Sequence, residues 1–537
     1  MARGYPNGHP RAALEAIKQA KDETPSKDNT SPHHNEHSTN GYTTSKSIPV
    51  LTNGTRESNN ANNATTNPQP TPNPQKKQLF LNAFLMNTPS HLSPGLWRHP
   101  RSQSSNYNSL SFWTSLAQLL DRAGFHAIFL ADVLGHYDVY KGPGNASPCL
   151  PSGAQFPVND PLLLVPAMAS VTKNLVFGVT ASTSFEPPFG HARRFSTVDH
   201  LAGGRVAWNI VTSGLDSAAR NFGLEGGQIE HEERYAIAEE FMDVLYKLWE
   251  SSWATSSVPR DLQTGPFAHP ELVRPINHQG PHFSVAGPHI CEPSPQRTPF
   301  LFQAGSSPTG IAFGSKHAEA IFVTGQTPEK VRNNVEKIRS AAVLAGRKPE
   351  TIKIMVGVII IVDATDELAQ QKLENYISYG DREGALALFG GWTGVDLSSY
   401  SDDEDFSMSE TPIIRSLVNG WSETVPGSDG KLPWTKKRIG DYLMVGGMQK
   451  KMVGSAKTVV DEMEKWVEMT GVDGFNLSHV VNPGSFEDII EFVIPELRRR
   501  GLFRETVEKE GATAREVFLG QSRLLDDHYG SQFKWDG

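Results

Sequence analysis

The run Gln303-Ala304-Gly305-Ser306-Ser307-Pro308-Thr309-Gly310 carries the clearest local chemistry in the chain. An apolar segment ends there, a glycine allows a tight turn, two serines offer hydroxyls and a helix cap, and a proline suits the first helical turn. Free N–H groups at a helix start, with the Ser306 and Ser307 hydroxyls, would cradle a phosphate. The Gly-Lys-Ser/Thr ending of a P-loop is missing. Asp132 directly follows apolar Phe129-Leu130-Ala131. A carboxylate there can accept a ligand's N–H groups or simply cap a turn. Thr180 opens Thr180-Ala181-Ser182-Thr183-Ser184, where small hydroxyl side chains leave room for a flat ligand or form an ordinary polar loop. Asn209 is a lone amide among Val206, Trp208 and Ile210. His231 and Tyr235 are four apart and share a face on a helix. A zinc pair would need His at 235, so they read as hydrogen-bond donors toward a ligand or as a plain helix start. No metal site is expected. No Gly-x-Ser-x-Gly elbow occurs, and Cys149 and Cys291 sit in Pro-rich stretches without a histidine to activate them. No acid, base or nucleophile is assigned.

The elements that must position these residues follow a regular alternation. Strands are expected at 78–86, 127–131, 175–180, 205–211, 299–303, 320–323, 352–362 and 474–477. Helices are expected at 110–123, 160–171, 191–202, 230–249, from 308, and at 328–344, 367–378, 457–469 and 486–500. Eight nearly all-apolar strands separated by helices indicate a parallel sheet covered by helices. Eight repeats favour a closed (β/α)8 TIM barrel, with its chemistry at the strand C-termini. No Gly-x-Gly-x-x-Gly opens a helix, which argues against a dinucleotide fold. Two long irregular insertions, at 251–298 and 380–455, are expected to roof the mouth. The phosphate cradle would follow the fifth strand, whereas barrels usually place one after strands seven and eight.

Composition sets the limits. None of the 26 Phe and 10 Trp in the 537 residues precedes residue 79. A segment without large aromatics cannot bury enough to offset its ordering entropy, so 1–78 is expected to be a disordered tail. The barrel is expected over 79–505, with a C-terminal extension at 506–537. A net charge of −9 argues against nucleic acid or an anionic membrane as partner. No apolar run is long enough to span a membrane, and the N-terminus lacks a signal-peptide core. Two cysteines make no disulfide framework. A cytoplasmic enzyme is expected.

Several stretches point further. Leu96-Trp97-Arg98-His99-Pro100, Phe195 to Leu201, Gly203 to Ser213, Phe302 to Ser307, Phe389 to Gly394, Gly471 to Leu477 and Pro483 to Asp488 resemble the bacterial-luciferase-like flavin monooxygenases. The match is to the nitrilotriacetate monooxygenase / pristinamycin synthase component A branch and spans about 79–502. The resemblance implies a two-component enzyme. FMNH2 arrives from a separate NAD(P)H-dependent flavin reductase, and O2 forms a flavin C4a-peroxide that oxidises a small organic substrate. Carried over by motif, Asp132 and Thr180 would contact the flavin, His231 and Tyr235 its ribityl-phosphate side, and Ser306 or Ser307 the phosphate. A homo-oligomer is expected. Deazaflavin-dependent hydride transfer and non-catalytic flavin binding are the alternatives. Gly446-Gly447-Met448-Gln449-Lys450-Lys451 is more basic than the family's loop. Arg98, His99 and Arg101 could suit an anionic substrate or be solvated.

Overall fold

In the computed structural model, residues 77–537 are described except 264, 408, 410 and 426–432. The tail expected at 1–78 lies, but for its last two residues, outside them. Eight barrel strands, β1 (Phe80–Met86), β2 (Ala127–Ala131), β3 (Val176–Ser182), β4 (Val206–Val211), β5 (Phe300–Gln303), β6 (Ala320–Val323), β7 (Lys353–Asp363) and β8 (Gly474–Ser478), each pair in parallel with the next. β8 returns to β1 and closes the ring, as the alternation predicts.

Side chains alternate across each strand, so one set faces the barrel interior and the other the helices. Phe129, Val176, Ala207, Phe302, Phe322 and Met355 fill the lower interior as one cluster. The outward set packs against the helices in the largest core cluster. Caps fix where the helices start: the Ser307, Thr327 and Thr365 hydroxyls each accept the N–H three residues on.

The structure corrects the two insertions. Residues 251–298 line neither of the two cavities at the strand C-termini. They lie between a helix and the next strand, so both ends are anchored at the strand N-termini. There Gln296 donates to the Asp199 carboxylate at 2.7 Å and to the Val206 carbonyl at 2.7 Å. The segment expected to be irregular at 380–455 instead holds helices Arg382–Thr393, Pro412–Thr424 and Lys436–Leu443, and a ninth strand, Lys450–Ser455. That strand pairs with the upper half of β7, continuing the edge that β6 occupies below. Glycines mask the first of these helices in the sequence. A Cβ on Gly391 would stand 1.8 Å from the Tyr137 ring, so the glycine lets the helix seat on the loop after β2. These helices share a second core with Tyr137, Tyr140 and Cys149.

The C-terminal segment closes the other end. Helix Ala514–Leu519 opens with a Thr513/Glu516 capping box. Its Phe518 ring lies 4.9 Å from Phe300 and 5.0 Å from Phe80, stoppering the N-terminal end of the barrel. Beside it the fully buried Arg515 and Glu319 pair at 2.6 Å.

Candidate functional site

At the strand C-termini a cavity of about 280 Å3 is lined by Thr180, Asn209, Gly305, Ser306, Gln449 and Asn476, among others. It adjoins a larger one of about 480 Å3, and the two share Asp132 and Thr180. Phe129 and Phe322, with ring centroids 4.4 Å apart, belong to its lining.

Strand register assembles the polar layer above those rings. Thr180 pairs with Asn209 across β3 and β4, and Asn82 with Asn476 across β1 and β8. The Asn209 amide donates to the Thr180 hydroxyl at 2.9 Å. Asn476 lies beside Gly357 of β7, and a Cβ there would stand 3.2 Å from the Gln449 amide nitrogen. The side-chain oxygens of Asn82, Asn209, Gln449 and Asn476 are buried and have no hydrogen-bond partner among the described residues. Buried acceptors left unmatched are costly, and those of Asn209, Gln449 and Asn476 line the cavity, where a ligand's N–H donors would meet them. A flavin ring, flat and edged with N–H and carbonyl groups, fits this donor and acceptor set.

The Gly305-Ser306-Ser307 turn forms one rim. Ser307 caps helix Pro308–His317, its hydroxyl accepting the Gly310 N–H at 3.0 Å. Ser306 is exposed, lines the cavity and makes no hydrogen bond among the described residues. Helix His231–Tyr246 packs behind the turn. His231 Nε2 lies 3.3 Å from the Ser307 hydroxyl. The Tyr235 hydroxyl would be 2.7 Å from a Cβ on Gly310 and 3.0 Å from one on Gly305. Glu232 stands beside the cradle, its carboxyl held below the usual range by His231 and the Thr309 hydroxyl. On the opposite rim, burial pushes the Asp132 carboxyl up to about 8, with the Asp160 charge adding to it and the Val133 N–H and Arg194 opposing.

The fold therefore gathers all six residues singled out in the sequence at one end of the barrel. Asp132, Thr180 and Ser306 line the cavity, while Ser307, His231 and Tyr235 stand together behind the turn. Sequence reasoning missed Gln449 and Asn476, and also the buried His91 and His479, whose rings lie 5.9 Å apart. Burial holds His91 well below the usual range, and takes His479 down to about 4. The signal for Asn476 was present: a lone amide in the apolar run Gly474–Ser478. Arg98, His99 and Arg101 line neither cavity. Arg98 donates to the Tyr379 carbonyl at 2.8 Å, His99 meets Asn375 at 2.9 Å, and Arg101 pairs with Asp488 at 2.8 Å.

The profile of the luciferase-like monooxygenase family matches residues 87–474. The chain is 43% identical over 459 residues to the dimethyl-sulfide monooxygenase of Hyphomicrobium sulfonivorans, covering 86% of this chain and 94% of that one. The crystal structure of DmoA from that organism superposes with a TM-score of 0.81 over 86% of this chain and 96% of the other. Identity is 46% over 460 residues to the long-chain alkane monooxygenase of Geobacillus thermodenitrificans, covering 85% and 98%. A riboflavin lyase solved with modified FMN and riboflavin is 34% identical, with a TM-score of 0.76 over 86% of this chain and all of that one (100%).

Proposed function

Starting from the fact that the chain belongs to the luciferase-like monooxygenase family, alongside a nitrilotriacetate monooxygenase and a pristinamycin IIA synthase, we propose that this flavin-dependent monooxygenase is the oxygenating half of a two-component pair. It takes reduced FMN from a separate NAD(P)H-dependent flavin reductase and uses O2 to oxidise a small organic substrate. The observation that carries this reading is the layer of partnerless amide oxygens beside a serine-capped helix start, in one cavity.

Reduced FMN, when bound, supplies the electrons that activate O2. The chain's own residues hold and shield it. Ser306 and Ser307 take the phosphate, with His231 and Tyr235 keeping the turn in place and reaching the ribityl side. Asn209, Gln449 and Asn476 would accept the ring's N–H groups, with Thr180 and Asp132 lining the same cavity. Below about pH 8 the Asp132 carboxyl is protonated and can donate a hydrogen bond. The phenylalanine floor excludes water from one face. The adjoining cavity of about 480 Å3 provides room for substrate. Relatives named for a dialkyl sulfide and for long alkanes favour an apolar substrate, and the placement of Arg98, His99 and Arg101 outside both cavities supports the same choice.

The test uses the purified chain with FMN and NADH. Alone it should show no steady NADH consumption, and adding a competent flavin reductase should start O2-dependent oxidation of an apolar sulfide or alkane. Catalytic NADH oxidation by the isolated chain would refute the two-component reading.

A further inference from the structure

The basic segment at 446–451, which runs into strand Lys450–Ser455, separates two cavities. Its Gln449 lines the cavity described above, and on its other side Lys450 and Lys451 line a separate one of about 400 Å3. This second cavity mixes an apolar wall, including Leu373, Ile377 and Val453, with the polar tips of Gln326, Gln370 and Thr424.

Its charges do not balance locally. Glu462 is paired with Lys450 at 3.0 Å, and Asp441 with Arg382 at 2.6 Å and Lys437 at 3.9 Å. Lys451 has no carboxylate partner among the described residues. Its ammonium donates to the Gly447 carbonyl at 3.3 Å and sits 3.4 Å from the centre of the Tyr442 ring. The Tyr442 hydroxyl donates to Gln326 at 3.2 Å, and burial keeps it protonated by raising its proton affinity. Burial, with the like charge of Lys450, pulls the Lys451 amine down to about 7. A half-buried cation beside open space, with no carboxylate partner among the described residues, is a receptor for an anion.

We propose that this cavity is a second ligand site, which takes a small organic monocarboxylate with its head group on Lys451 and its hydrocarbon body along the Leu373 and Ile377 wall. The ligand is monovalent because one cation lacks a carboxylate partner among the described residues. It is amphipathic because the cavity is. Gln326 donates to the Met448 carbonyl and Lys451 to that of Gly447, so both contacts hold the loop that presents Gln449 to the neighbouring cavity.

Hexanoate serves as the probe, with hexanamide as its uncharged counterpart, added to the full chain near pH 8 and followed by titration calorimetry in two buffers of unlike ionisation heat. Most of the Lys451 amine is neutral there, so seating a carboxylate should draw in nearly one proton per ligand. Lys451→Met should weaken hexanoate by about tenfold or more, the scale of a lost charge-assisted hydrogen bond. Lys451→Arg should keep binding but abolish proton uptake, because guanidinium stays charged. Saturating FMN should not displace hexanoate, so this result stands or falls separately from the flavin reading. No binding, equal binding of hexanamide, an unchanged Lys451→Met variant or full competition by FMN would each overturn the proposal.

Discussion

Asp132 and Asp160 line the same cavity, and the charge of Asp160 raises the proton affinity of Asp132 beyond what burial alone does. The folded chain therefore keeps a proton on Asp132 up to about pH 8, while an unfolded chain releases it near its ordinary value of 3.8. Between those values the folded form binds more protons, so its stability falls as pH rises and levels off above about 8. Asp132→Asn cannot ionise and should lose that slope. Melting temperatures of the two proteins should diverge from pH 4 to 8, with the variant higher at the alkaline end. Parallel curves would mean that Asp132 ionises normally.

Asn476 lets ligand binding be separated from folding. Its side-chain oxygen is buried and unpartnered among the described residues, so Asn476→Leu removes an unmet acceptor. The variant should melt no lower than the parent yet bind FMN about tenfold or more weakly, from the loss of one or more hydrogen bonds. Unaltered FMN affinity would remove the amide from the flavin's contacts.

The phosphate cradle calls for a comparison of ligands. Ser306→Ala loses no hydrogen bond within the described residues, so its effect should fall on the ligand alone. Combined with Ser307→Ala it should weaken FMN by about 1–3 kcal/mol, the usual worth of hydrogen bonds to a charged group. Riboflavin, lacking the phosphate, should be nearly unaffected. Ser307→Ala by itself also removes a helix cap and should cost about 1 kcal/mol of stability. Equal losses for FMN and riboflavin would put the phosphate somewhere else.

At the barrel's closed end, Arg515→Met strands Glu319 without its partner in a fully buried position. Denaturant unfolding should register a loss of about 3–5 kcal/mol. Converting Glu319 to leucine as well should recover much of it, since the uncompensated charge is the cause. A single variant as stable as the parent would contradict this account.

The strand order was legible because each barrel strand is a short apolar run, and burial on both faces leaves no other pattern. Ser307 and Asn209 were legible for local reasons: a cap chemistry before a proline, and an amide where only apolar side chains belong. The layer itself was not. Asn82 beside Asn476, and Gln449 over Gly357, are consequences of register between segments far apart in the chain. The helices in 380–443 escaped notice because their glycines answer to Tyr137 and other neighbours, not to helical periodicity. The placement of 251–298 was misread by counting it after a strand, when the helix before it had already returned the chain to the opposite end.

The Phe518 stopper also sets an order on biosynthesis. A ribosome exit tunnel conceals the most recently made stretch of chain, and domains otherwise assemble as they emerge. Here all eight staves are translated before the residues that plug the cask, and Arg515 reaches Glu319 across 196 positions of sequence. Until residues 513–519 emerge, a nascent chain holds the rings of Phe80 and Phe300 without their lid and Glu319 without its cation. Nonsense truncations just upstream of Thr513 should therefore yield a protein that chaperones retain and proteases clear, even though every residue lining the cavity at the strand C-termini has been made.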